Sequence, residues 1–139
     1  MNYWLVKSEP NTWSWDDQVK KGDEGEGWDG VRNYQASNNM KAMKIGDRGF
    51  FYHSVKEKRV VGIVEVIEEY HPDPTDEKGR FGMVTVKAIQ EVPNPVTLAD
   101  IKAEPRLEEL ALVRQSRLSV VPVSKEHWDI ICAMGGIAG

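Results

Sequence analysis

Two β-runs separated by a short polar turn constrain this chain more than any other feature. Asp47 to His53 carries Phe50, Phe51 and Tyr52, the stretch His53-Ser54-Val55-Lys56-Glu57-Lys58 is mostly polar, and Arg59 to Glu68 returns as the longest β-branched run in the chain. Aromatic and β-branched side chains suit a pleated, half-buried surface, and so short a connection joins antiparallel neighbours. Gly62 interrupts the second run. A glycine inside a strand marks a bulge or tight bend, which is how a sheet curls toward a barrel. Met83 to Val92 adds a third antiparallel strand, alternating Val84, Val86 and Ala88 on one face with Thr85, Lys87 and Ile89 on the other.

Around this sheet the other elements are short. Tyr3 to Lys7 is apolar on both faces and reads as a central strand that Lys7-Ser8-Glu9-Pro10 ends; Leu118 to Val123 is a further strand. Ser14 caps a helix to Lys21 with Trp15 and Val19 as its buried edge, and Asn33 opens a helix over 34–44 whose Ala36, Met40 and Met43 fill the core. A hydrophobic staple of Val96 and Ile101 places a helix near 98–103, and Ser124 caps a last one with Trp128, Ile131 and Cys132 on one face. Residues 22–27 and 71–82 read as loops, and Pro93-Asn94-Pro95 as a turn. The expected class is α+β.

Totals narrow the function. With 139 residues and 40% hydrophobic content the chain fits one domain spanning 1–139. The lone Cys132 excludes an internal disulfide and a multi-cysteine zinc site, and His53, His71 and His127 lack metal-type spacing. No Gly-x-Ser-x-Gly elbow ties a serine to a base, so no catalytic residue, metal or cofactor is assigned. The three glycines of residues 22–27 stand among acids that would repel phosphate. No charged segment followed by an apolar one and no long uninterrupted apolar run is seen, so a soluble, cytoplasmic protein without signal peptide or membrane span is expected; a monomer is expected as well. A net charge of −4 argues against a purely charge-driven nucleic-acid binder. Yet Lys41 to Arg59 holds six basic residues against two acidic ones, whereas Asp16 to Asp29 holds six acids against two lysines. One face could meet phosphate; an ordinary solvated face is the other reading.

Polar and aromatic residues gather at the ends of the elements: Lys7-Ser8, Trp28, Arg32-Asn33-Tyr34, Ser54, and Gln115 with Arg117. Asn33 serves as a helix cap, as an edge-reading amide, or as both. If the curled sheet brings these groups together, they form a pocket with a stacking wall and amide, hydroxyl and cationic edges, suited to a heteroaromatic ring such as a nucleobase.

Four segments carry a family resemblance. In order, Tyr3-Trp4-Leu5-Val6-Lys7-Ser8-Glu9-Pro10, Trp28-Asp29-Gly30-Val31-Arg32-Asn33-Tyr34-Gln35, Phe51-Tyr52-His53-Ser54 and Gln115-Ser116-Arg117-Leu118-Ser119-Val120 resemble the signature segments of the EVE domain. That family includes the thymocyte nuclear protein type and belongs to the PUA-like superfamily, beside the YTH and ASCH domains. The resemblance implies a curved, mixed β pseudo-barrel with flanking short helices. It also implies recognition, without catalysis, of a base, in particular a modified one, in DNA or RNA. Trp28 would then be the stacking wall, Asn33 and Ser54 the edge readers, and Lys7, Arg32 or Arg117 the phosphate or carbonyl partners. The chain departs from the pattern at Val55, where Asn often stands in the family, and at Ser37, where Arg does. Two alternatives stay open: an enzyme acting on RNA or nucleotides through Lys7, Glu9 and Ser54, and a small adaptor for a metabolite or peptide.

Overall fold

The computed structural model describes residues 1–137. Its elements are β1 (Tyr3–Ser8), α1 (Trp15–Lys20), a 3-10 turn (Gly22–Glu24), β2 (Glu26–Gly27), α2 (Tyr34–Ala42), β3 (Arg48–His53), β4 (Arg59–Pro72), β5 (Gly82–Thr97), α3 (Leu98–Ala103), a second 3-10 turn (Pro105–Leu107), α4 (Ala111–Arg114), β6 (Val120–Val123) and α5 (Lys125–Met134). The strands form one sheet in the order β2-β5-β4-β3-β1-β6. Neighbours are antiparallel except β1 and β3, which run parallel from Tyr3 beside Arg48 to Ser8 beside His53. The α+β class and the central place of β1 are as expected. The sheet curls without closing into a barrel, since β2 and β6 remain its two edges.

Slips in register produce the curl. β4 and β5 change register four times, and β3 slips against β4 between Phe51 and Tyr52. Each slip adds local twist and bends the strand. Gly62 serves a second purpose here, because a Cβ at this position would stand 2.4 Å from the Trp15 ring. Pro93-Asn94-Pro95 does not turn the chain as expected. It bulges within β5: Gly62 faces Glu91 and Val60 faces Val96, so Val61 alone spans the residues from Val92 to Pro95. Neither proline has an N–H to offer the ladder, and Asn94 N–H instead donates to Gly135 O at 3.0 Å beyond α5. The supposed loop 22–27 also contains an edge strand, with Glu26 and Gly27 beside Val86 and Thr85.

β3 is buried on both faces, and its alternation sorts the core. Phe50 stacks on Trp128 of α5 at 4.0 Å, and Trp128 stacks in turn on Tyr3 at 4.5 Å. Phe51 points the other way and receives three rings: Trp15 at 5.4 Å, Trp28 at 5.6 Å and His53 at 5.7 Å. The expected buried edge of α1 is half right. Trp15 is buried, but Val19 is 50% exposed and Gln18, at 0%, takes the inward place. Its amide is satisfied there, donating to Val86 O at 3.1 Å and accepting from the Trp13 indole at 2.9 Å. The caps follow expectation at Ser14, Asn33 and Ser124, and Thr97 caps the helix that the Val96–Ile101 staple placed.

Val55, in the β3–β4 turn, holds φ at 70° and is 55% exposed. A β-branched residue is strained in the left-handed region, whereas Asn enters it readily. Val55→Asn is therefore expected to raise stability by about 1 kcal/mol, read as a shifted urea midpoint at unchanged slope.

Candidate functional site

β1 and β3 end together, and beside the end of β1 lies a cleft that gathers Lys7, Ser8 and Trp28 among the predicted residues. The chain leaves β1 through Glu9, whose carbonyl accepts from both Thr12 N–H and Trp13 N–H at 2.9 Å. This tight turn carries Trp13 back over β1, where Ser8 Oγ donates to the Trp13 carbonyl. Across the gap runs the segment following β2, held to β5 by Trp28 N–H donating to Val84 O at 2.8 Å. Between them lies a cleft of about 400 Å³ lined by Lys7, Ser8, Glu9, Thr12, Trp13, Glu26, Gly27, Trp28 and Asp29. That size suits a small planar ligand.

Both indoles are fixed. Trp13 is held by its bond to Gln18, and Trp28, 8% exposed, stands edge-on against Phe51 as part of the core wall. Lys7 Nζ donates to Ser116 O at 2.8 Å, and burial lowers its pKa. Glu26 pairs with Lys21 at 3.7 Å. With Glu9, Glu26 and Asp29 against Lys7, the polar lining is rich in hydrogen-bond acceptors.

The other predicted residues do not line this cleft. Ser54 N–H donates to Ser8 O at 2.9 Å, extending the β1–β3 pairing, and Ser54 does not line the cleft. Gln115 accepts from Gln35 at 2.9 Å, which ties the loop after α4 to the start of α2. Arg117, two residues on, is exposed; Lys7 holds the loop through its bonds to Ser116 O and Ser119 O. Asn33 Oδ1 is committed to the cap, accepting from Ala36 N–H at 2.9 Å. Arg32 and Tyr34 turn away, toward the loop between β4 and β5. The bases of Lys41 to Arg59 do not share a face: Lys44 and Arg48 flank the start of β3, while Lys56, Lys58 and Arg59 follow its end. Arg48 and Arg59 are in addition paired with Glu65 and Glu57.

A buried carboxylate anchors the segment from Trp28 to Tyr34. Asp73 accepts from Gly30 N–H at 2.8 Å, Thr75 N–H at 2.7 Å, Thr75 Oγ1 at 2.6 Å and Arg32 Nη1 at 3.1 Å. Burial alone would raise its pKa, but these donors outweigh it and hold the carboxyl at about 2. Nothing local marks this contact in the sequence, because Asp73 lies in a loop more than forty residues from Gly30. Trp13 was also missed. Its signal was an aromatic residue stranded between Pro10 and the Ser14 cap, with no periodicity to give it a core face.

Among the described residues no helix is long and apolar enough to cross a membrane, and no cluster of three His, Cys, Asp or Glu side chains could hold a metal ion.

Comparison with known proteins matches residues 2–134 to the EVE domain family. Thymocyte nuclear protein 1 of Rattus norvegicus is 31% identical over 96% of this chain and 73% of its own length. A crystal structure of an Agrobacterium tumefaciens protein is 55% identical, with a TM-score of 0.97 over 100% of this chain and 96% of that one. The crystal structure of human THYN1 protein in complex with 5-methylcytosine containing DNA is 29% identical, with a TM-score of 0.92 over the whole of both chains.

Proposed function

The chain belongs to the EVE domain family, and from that membership and the cleft we propose that residues 1–139 act as one non-catalytic module that recognises a modified nucleobase. The observation that carries this is the cleft itself, with Trp13 and Trp28 beside Lys7 and three carboxylates, in a chain whose fold matches a human relative crystallised with 5-methylcytosine containing DNA. A base drawn out of its stack or presented on a single strand fits such a site. Acidic side chains accept from the exocyclic amine of cytosine, so the lining favours an amino-bearing base over one with a carbonyl at that edge. The groups present hold rather than react: Ser8 Oγ is bonded to the Trp13 carbonyl and Lys7 Nζ to Ser116 O. DNA is the first choice of polymer from the human relative, with RNA the second.

Monomeric action is supported by the sheet edges. β2 has two residues and β6 carries Pro122, so neither offers a long template for edge pairing. An intracellular setting suits this partner and the buried Cys132, whose thiol burial raises to about 11.

Calorimetry with short single strands carrying 5-methylcytosine, cytosine or thymine at one position tests the reading. Methylcytosine should bind about four- to tenfold more tightly than cytosine, as one buried methyl group allows. It should bind roughly tenfold more tightly than thymine, which keeps the methyl but replaces the amine. Trp13→Ala, checked for folding by circular dichroism, should weaken methylcytosine binding by about tenfold or more. Equal affinity for all three strands would remove the proposal.

A further inference from the structure

The same segment that contributes Trp28 to the cleft carries Arg32 and Tyr34 to a different place. Tyr34 is 62% exposed at the start of α2, and its ring lies on Phe81 at 4.9 Å with 35° between the planes. The Arg32 guanidinium stands over the other partner of this pair, 5.7 Å from the Phe81 centroid. We propose that Tyr34 and Phe81, with Arg32 and Arg80 beside them, form a second subsite that stacks a nucleotide flanking the base in the cleft and meets its phosphate. This inference rests on the nucleic-acid reading of the cleft.

Three observations carry it. A cavity of about 410 Å³ borders Phe81, lined also by Arg32, Thr75, Asp76, Glu77, Lys78 and Arg80, and Tyr34 adjoins it through its contact with the Phe81 ring. The nearest acids are largely occupied. Asp76 accepts from Lys78 N–H at 3.0 Å, Arg80 N–H at 2.8 Å and Phe81 N–H at 2.7 Å, while Asp73 is spent on Gly30, Thr75 and Arg32. Asp76 and Glu77 are the two carboxylates on this lining, against the three cations Arg32, Lys78 and Arg80, so its formal charge is positive by one. The Arg32 fork is also preset, with Nη1 on Asp73 and Nη2 on Thr75 Oγ1 at 2.9 Å. An exposed aromatic with cations around it is the arrangement that holds a base by its face and its phosphate by charge.

The subsite is coupled to the cleft. Asp73 grips Gly30 and Arg32 together, so one loop fixes the path between Trp28 and Tyr34. Six residues of chain span at most about 20 Å, which a few nucleotides of the same strand can bridge.

The test is fluorescence anisotropy with a labelled single strand carrying one central 5-methylcytosine, and its unmodified counterpart, at several salt concentrations. Wild-type protein is compared with Tyr34→Ala and Arg80→Ala, both changes being at exposed side chains. Tyr34→Ala should lower affinity about tenfold, the loss expected of one base–aromatic stack. Arg80→Ala should reduce the slope of log affinity against log salt by about one phosphate contact. Equal affinities and slopes in all three proteins, with the methylcytosine preference retained, would overturn the subsite and leave the cleft reading standing. Absence of that preference in the wild type would overturn the cleft reading and, with it, the subsite.

Discussion

Phe51→Ala is expected to cost about 3–5 kcal/mol of stability, the range for removing a buried aromatic ring. Phe51 is fully buried, and its ring receives the edges of Trp15, Trp28 and His53 at once. The cavity left behind cannot simply collapse. Trp15 is already pressed against Gly62, and Trp28 is held by its backbone to Val84, so neither ring can slide far into the gap. A urea titration should show the midpoint falling at nearly constant slope. If the cleft holds a base as proposed, any protein that remains folded should also bind a 5-methylcytosine strand less tightly, since the wall behind Trp28 has gone. Phe50→Ala provides a contrast. It empties the opposite face, against Trp128 and Tyr3, so it should match the stability loss while leaving the packing of Trp28 on Phe51 in place.

Asp73→Ala is the second large effect. It would remove the shared acceptor of Gly30 N–H, Thr75 N–H and Thr75 Oγ1 together with one partner of Arg32 Nη1, and a cost of about 3 kcal/mol is expected from losing several hydrogen bonds to one buried charge. The same residue makes a prediction in acid. Its folded pKa of about 2 lies below the ordinary value of 3.8. Its ionised form therefore stabilises the native state above about pH 4, and that contribution disappears as the pH falls through about 2. The difference is worth about 2 kcal/mol. Thermal unfolding of the wild type between pH 5 and pH 2 should lose this much more than Asp73→Asn does, because the variant has no proton to take up. Parallel losses in the two proteins would mean that other carboxylates control acid stability.

The sequence was most legible where the physics is local. Side-chain capping at Ser14, Asn33, Thr97 and Ser124 depends on a few neighbouring residues, and all four helices begin where those caps put them. The alternation from Met83 onward and the β-branched run before it gave paired strands for the same reason. Errors came where distant contacts decide. Val19 has the right spacing for a buried edge of α1, yet Gln18 is buried because Val86 O and the Trp13 indole satisfy its amide. The two prolines near Asn94 suggest a turn, but β5 continues through a bulge whose spare donor reaches Gly135. At the site, Lys7 and Ser8 share a cleft with Trp28 because the curled sheet brings the end of β1 opposite the segment after β2, with β5, β4 and β3 between them in strand order, an arrangement that no periodicity announces. Arg32 and Tyr34 leave it because Asp73 and Phe81, far along the chain, give them better partners.

The most direct test of base recognition in this cleft uses the protein's own indoles. A two-dimensional proton–nitrogen spectrum resolves the side-chain N–H of Trp4, Trp13, Trp15, Trp28 and Trp128, and a single strand carrying 5-methylcytosine is titrated against it. Trp13 and Trp28 line the cleft, whereas Trp4 is tied to Asp47 and Trp128 lies between Tyr3 and Phe50. The account predicts that the Trp13 and Trp28 signals move at strand concentrations where those of Trp4 and Trp128 stay, and that unmodified cytosine requires several-fold more strand for the same shift. Stationary Trp13 and Trp28 signals under saturating strand, or equal movement with both strands, would contradict it.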